Sequence, residues 1–323
     1  MKKFVSILGL GVSILVASCG GGGGGGATTQ PASSSPSSFL SQTEVFSPVA
    51  GQSKMTQSSS AALTNPRLMF FDGSYLYVAT GVDNSVVRID ANGIQTSLTG
   101  FAGSPVGVAT RNGTLYVTQT GGLYQVGLNN LSLVNGSSVS VSPQLVANSS
   151  NNICTNCLGL VFNGNVAYVS DGTSTLHAYD TANVGWQSIS LSSQAYGLAL
   201  KDSYLLTTDY AQTLSGFAIT SITSTWVAGS QLNVGAQPYG VAIASNGDIY
   251  VSNFAANTVN RIHRGIMDPT PFLDATKICH PLGLAINEQT QSLYVASQKG
   301  SVNCGLQNQP TGYILRATID LSS

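Results

Sequence analysis

The chain has 323 residues, a net charge of −1 and only 8% charged residues against 42% apolar ones. This near-neutral balance gives no basic footprint for nucleic acid and no acidic tail, so a nucleic-acid partner is excluded. With so few charges, the polar surface has to come from Ser, Thr, Asn, Gln and Gly.

Lys2 and Lys3 precede an apolar stretch, Phe4 to Val16, that is too short to cross a bilayer as a stable helix. Small residues then lead to a cysteine, the layout of a secretory signal over residues 1–18. Val16-Ala17-Ser18-Cys19 resembles a bacterial lipobox, which implies cleavage before Cys19 and acylation of its thiol, making lipid membrane a partner. Gly20, rather than aspartate, follows the cysteine. By resemblance to Gram-negative lipoproteins this implies an outer-membrane destination, facing either the periplasm or the exterior. Residues 19–40 are read as the lipidated cysteine and a Gly, Ser and Pro-rich tether that buries nothing. Its r.m.s. reach is roughly 25 Å for about 19 residues. The folded unit is assigned to residues 41–323.

Within that unit one phrase recurs: Asn65-Pro66-Arg67-Leu68, Ser104-Pro105-Val106-Gly107, Asn156-Cys157-Leu158-Gly159, Gln194-Ala195-Tyr196-Gly197, Gln237-Pro238-Tyr239-Gly240 and His280-Pro281-Leu282-Gly283. From Leu68 through the five glycines the steps are 39, 52, 38, 43 and 43 residues. Each phrase leads into a β-branched and aromatic triplet, among them Leu76-Tyr77-Val78, Leu115-Tyr116-Val117, Ile249-Tyr250-Val251 and Leu293-Tyr294-Val295. Turn dipeptides such as Asp72-Gly73, Asn112-Gly113, Asn163-Gly164 and Asn246-Gly247 separate the two as hairpins. A third apolar stretch follows in most repeats, and a weaker fourth is placed at Ile94 to Leu98, Gln144 to Ala147, Gln187 to Leu191 and Thr225 to Ala228. The period and the strands predict an all-β, six-bladed β-propeller of four-stranded antiparallel blades. Small residues in the first strand, such as Gly107, Ala109, Gly240 and Ala242, suit the crowded axis. The sixth repeat ends with its third strand, and Thr43 to Val49 has the composition of an outer strand, so this N-terminal strand is expected to close the ring.

Pro-x-Gly-Val-Ala, then Tyr-Val-Ser-Asn and Asn-x-Val-x-Arg-Ile, is clearest over Pro238 to Ile262. It resembles the NHL-repeat and YVTN-type propellers over residues 66–319, with a fold like that of gluconolactonases and streptogramin lyases. The resemblance implies a fold and leaves activity open, since such blades serve lactonases, lyases and binding proteins.

Loops joining strands two and three, and loops entering each first strand, emerge on one face around the channel mouth. The expected ligand-binding residues there are Arg67, Tyr196, Asp209, Tyr210, Tyr239, Asn253, Phe254 and His280, holding a neutral or polar ligand by aromatic planes and polar side chains. Against this, Asp171, Asp209 and Asn253 are of the type that caps its own loop backbone. Gluconolactonase-type propellers hold a metal with Glu, Asn and Asp at or just before the glycine column. Here the residues before it are Arg67, Val106, Leu158, Tyr196, Tyr239 and Leu282, none a carboxylate or amide. No metal and no cofactor is therefore expected. Lyase-like chemistry needs a base on the rim, and His280 is the histidine near it, whereas His177 and His263 fall within third strands as structural or exposed residues. Setting Cys19 aside, Cys279 and Cys304 fall on one face of one blade and are expected to pair, while Cys154 and Cys157 can close a small ring. Zinc held by the latter pair with Cys279 and His280 is the alternative. The reading is a non-catalytic binding or scaffold module of the envelope, taking a small molecule or an envelope protein at the mouth. The alternative is a lactonase-like hydrolase or streptogramin-lyase-like enzyme acting there.

Overall fold

A computed structural model describes residues 43–46, 63–146, 154, 156–183, 185–219, 225–226, 228–298, 304–305 and 312–322. The signal segment, Cys19 and the tether lie outside these. Six sheets follow one another around an axis. Blade 1 is Pro66–Phe71, Leu76–Thr80, Ser85–Ile89 and Gln95–Thr99, and blade 2 is Pro105–Arg111, Thr114–Gln119, Gly122–Gly127 and Gln144–Leu145. Blade 3 is Leu160–Asn163, Val166–Ser170, Thr175–Asp180 and Gly185–Ser190. Blade 4 is Leu198–Lys201, Tyr204–Thr208, Thr213–Ala218 and Ser230–Asn233. Blade 5 is Pro238–Ile243, Ile249–Asn253, Thr258–His263 and Ile266–Met267. Blade 6 holds Leu284–Asn287, Ser292–Ser297 and Tyr313–Thr318, and Thr43–Phe46 runs antiparallel to the last with Glu44 opposite Arg316.

The Tyr-Val pairs explain how the blades adhere. Successive residues of a strand point to opposite faces, so each tyrosine and its valine serve different cores. Tyr77, Tyr116, Tyr168, Tyr250 and Tyr294 face the next blade in the ring, whereas Val78, Val117, Val169, Val251 and Val295 face the preceding one. All ten are buried, and each stabilises the ring by about 1.5–3 kcal/mol in apolar burial. Among the described residues the apolar clusters lie in the six wedges between blades.

The longest step, between Gly107 and Gly159, has a definite cause. The connection between the third and outer strands of blade 2 crosses to its neighbour, where Ser138–Ser140 adds a fifth, parallel strand beside Gln95–Thr99. Arg88 holds this excursion, donating to Leu133 O at 3.0 Å and Asn135 Oδ1 at 3.0 Å, with its guanidinium 4.3 Å from the Tyr75 ring centre.

One strand differs from the expectation. The outer strand of blade 4 is Ser230–Asn233, not Thr225 to Ala228. Trp226 instead forms a parallel bridge with Leu191 and is 2% exposed. Its indole packs against Tyr168 at 5.7 Å in the wedge between blades 3 and 4. A large apolar side chain is worth more in that wedge than on an outer edge.

Candidate functional site

The residues nearest the axis are set by the glycine column. A Cβ on Gly159 would collide with the carbonyl oxygen of Tyr196, one on Gly197 with that of Tyr239, and one on Gly240 with that of Leu282. First strands of adjacent blades therefore pass closer than any side chain permits. A hydroxyl at the end of the second strand then joins each pair. Thr208 Oγ1 accepts from Gly197 N–H at 2.9 Å and donates to Tyr239 O at 2.7 Å. Ser252 Oγ does the same between Gly240 N–H at 2.8 Å and Leu282 O at 2.7 Å, and Thr118 and Ser170 repeat the arrangement in blades 2 and 3. In blades 1 and 6 alanine, Ala79 and Ala296, stands at that position. Sequence reasoning missed these staples, although their signal is visible as the Ser or Thr that follows the Tyr-Val pair in blades 2, 3 and 5 and Leu206-Thr207 in blade 4.

The staples fix the carbonyls of the residues just before the glycines, and so fix where Arg67, Tyr196, Tyr239 and their equivalents begin. Below them the axis is nearly filled: a cavity of about 30 Å³ is lined by Leu68, Gly107, Gly159, Gly197 and Gly240 among others. That is room for about two water molecules. A ligand larger than water does not fit that cavity.

At the mouth the aromatic candidates come together. Tyr196 and Tyr210 stack with ring centres 5.0 Å apart and planes at 22°. Tyr239 meets both edge-on, at 6.0 and 5.9 Å. Phe254 lies 6.4 Å from Tyr210 and carries His280 stacked on its other side at 4.7 Å. Five rings from blades 4, 5 and 6 thus form one continuous arc. Tyr210 has φ 57° and His280 φ 44°, both left-handed, a conformation uncommon for such side chains. Asn257 Oδ1 accepts from the His280 N–H at 2.8 Å and secures that turn.

Arg67 closes the arc from blade 1. Its guanidinium packs over Gly81, where a Cβ would lie 3.0 Å from Cζ, and its charge acts on the Tyr239 hydroxyl. Burial pushes the Tyr239 phenol up to about 12, with Arg67 opposing the rise. Tyr196 is also pushed up, by burial first and then by Tyr210 and Asp171.

The polar candidates are differently employed. Asp209 accepts from the N–H groups of Ala211, Gln212 and Thr213 at 2.8, 3.0 and 2.8 Å, the loop-capping role weighed for it. Asp171 caps Thr173 at 2.9 Å but also binds His177 Nε2 at 2.9 Å. Burial opposes ionisation of Asp171, yet bonds from His177 and Thr173 hold its carboxyl below the usual range. Asn253 is fully buried and does not cap its loop: its amide reaches Thr258 Oγ1 at 3.3 Å, so it lies beneath the mouth rather than on it. On the opposite face His263 Nδ1 bonds Asp248 at 2.7 Å, beside an Arg261–Asp268 pair at 2.7 Å.

Both cysteine pairs are disulfides, Cys279–Cys304 and Cys154–Cys157. This corrects the zinc alternative, because oxidised sulfurs are not thiolate ligands. Among the described residues no group of three His, Cys, Asp or Glu side chains is placed to share an ion.

No family model matches the sequence, and no curated protein matches it. Solved structures do match. An aldose sugar dehydrogenase from Streptomyces coelicolor, solved with bound PQQ, superposes with a TM-score of 0.58 at 15% identity, covering 86% of this chain and 99% of that one. A streptogramin B lyase gives 0.55 at 11% identity, covering 86% and 98%. A gluconolactonase from Xanthomonas campestris gives 0.57 at 12% identity, covering 79% and 86%. At these identities the likeness is one of fold alone, and by that likeness and its own six sheets the chain is a six-bladed β-propeller.

Proposed function

We propose that this propeller is a non-catalytic binding module of the bacterial envelope, tethered through acylated Cys19 to the outer membrane, that takes its ligand on the mouth face. The observation that carries the reading is the five-ring arc of Tyr196, Tyr210, Tyr239, Phe254 and His280, flanked by carboxylates already engaged by their own loops. Aromatic rings offer broad, stiff contact surfaces at low entropic cost. Proton transfer instead needs a group free to take or give the proton. Two measurements test the proposal. Cys19→Ala should move the protein from the membrane to the soluble fraction. A small-molecule panel followed by ligand-observed NMR should yield binders that Tyr210→Ala and Phe254→Ala weaken without unfolding the ring. Binders indifferent to both variants would remove the mouth from consideration.

A second reading, a lyase or hydrolase at the same mouth, has one observation in its favour. His280 stands at the end of the arc on a secured turn. Turnover of a bound compound that is lost in His280→Ala would establish it.

A further inference from the structure

Around the mouth the position before the glycine column carries Arg67, Val106, Leu158, Tyr196, Tyr239 and Leu282. Val106, Leu158, Tyr239 and Leu282 are buried, so the ring of side chains is apolar with one cation in it. Among the described residues no carboxylate pairs with Arg67; the ion pairs lie at His177–Asp171 and around Asp248. Its Nε is buried and has no hydrogen-bond partner. Arg67 as a whole is half-buried, but a guanidinium nitrogen shut off from water without a partner is costly unless something compensates it.

The neighbouring phenol sharpens the point. Arginine has donors only, whereas a phenol can donate as well as accept, and the Arg67 charge acts on the Tyr239 hydroxyl. Arg67 and Tyr239 thus present two donors of one sign, with the stacked pair Tyr196 and Tyr210 as a wall beside them. Two donors and a single charge match a monoanion; a doubly charged phosphate monoester would bring a second charge into a wall of Leu, Val and Tyr with nothing to meet it.

We propose that the mouth recognises a monoanionic ring compound, a carboxylate held by Arg67 and the Tyr239 hydroxyl with its ring against Tyr196 and Tyr210. This deepens the binding-module reading and rests on it.

The test uses the full chain in detergent, with benzoate and its neutral isostere benzamide as probes, followed by saturation-transfer NMR titration. Wild type should bind benzoate about ten-fold or more tightly than benzamide, as expected for a charge-assisted bond. Arg67→Gln should abolish that preference, Arg67→Lys should restore part of it, and Tyr196→Ala should weaken both probes. Equal binding of the two probes by wild type, with Tyr196→Ala still weakening both, would overturn the anion assignment and leave the aromatic mouth standing. Failure of both probes to bind, or binding untouched by Tyr196→Ala, would overturn the anion assignment together with the mouth reading. The comparison of the two probes on wild type needs no variant to fold.

Discussion

Replacing Gly197 by alanine places a methyl group where the structure has a neighbour's backbone. The added Cβ would overlap the carbonyl oxygen of Tyr239, stand 3.0 Å from its carbon and lie 3.1 Å from Thr208 Oγ1. Ordinary carbon contacts begin at about 3.5 Å, and both obstacles are backbone or a hydroxyl locked in two bonds. Blade 4 must therefore draw back from blade 5. Overpacking of this kind costs about 1–3 kcal/mol, and parting Thr208 Oγ1 from Tyr239 O leaves a buried acceptor unpaired for about 1–3 more. The sum, about 2–6 kcal/mol, is a large share of the about 5–15 kcal/mol that holds a domain together. For a domain of this size it should lower Tm by roughly 5–15 °C. Thermal unfolding followed by circular dichroism, with urea titration as a check, measures it. Gly185→Ala is the control, since a Cβ there meets nothing within 4 Å and should change stability by about 0.5 kcal/mol or less. Thr208→Val isolates the hydrogen-bond share and should cost less than Gly197→Ala. A Gly197→Ala protein within about 1 kcal/mol of wild type would refute the claim that backbone contact, rather than side-chain packing, sets the spacing of the blades.

Three further outcomes are expected. The Tyr239 phenol is pushed from 10.0 up to about 12 by burial, so its neutral form is what the fold favours; its contribution is complete below pH 10 and is lost as pH rises to about 12, some 3 kcal/mol in all. Alkaline unfolding curves of Tyr239→Phe should be flatter over that interval, and parallel curves would show the phenol is not the group responsible. If Thr43–Phe46 closes blade 6, Glu44→Cys with Arg316→Cys, opposite one another in the register, should form a disulfide on mild oxidation; persistent free thiols in folded protein would reject the closure. Cys279→Ser with Cys304→Ser opens a separation of 25 residues and should cost about 3 kcal/mol, whereas opening the Cys154–Cys157 pair, separation 3, should cost about half that on the chain-entropy account. Similar losses in denaturant titration would count against that ordering.

How much of this was legible in the sequence depends on what each residue answers to. The Tyr-Val pairs and the glycine column report on contacts that five of the six blades repeat, so their period survives in a single sequence and predicts the fold. The outer strands answer to little. Ser230–Asn233 is a polar edge with an intermediate, exposed, intermediate, exposed pattern, and the apolar Trp226 nearby imitated a strand because its burial comes from the wedge beneath it. The mouth was partly legible by parity alone, which brought Tyr196, Tyr210, Tyr239, Phe254 and His280 to one face. Parity gives a side chain's face but not its depth, and so Asn253 was placed on a rim that it underlies. Nor could it reveal the Asp171–His177 bond, which depends on two strands turning one carboxylate and one ring toward each other.

The Arg67 contact lies furthest from sequence reasoning because it joins blades 1 and 5 across the position of blade 6. In the aligned phrase Arg67 looks like an imperfect repeat, a charge where the other blades carry Val, Leu or Tyr, with Leu68 replacing the glycine beside it. Both departures fall in the same blade. Leu68 lines the axial cavity, filling space that glycine would leave, while Arg67 turns over Gly81 toward Tyr239. A fold built on repetition needs neither change for its stability, since five other blades meet their neighbours without them. Departures from the repeat that leave the scaffold intact are where a propeller can acquire a site, and in this chain they converge on the mouth beside its aromatic arc.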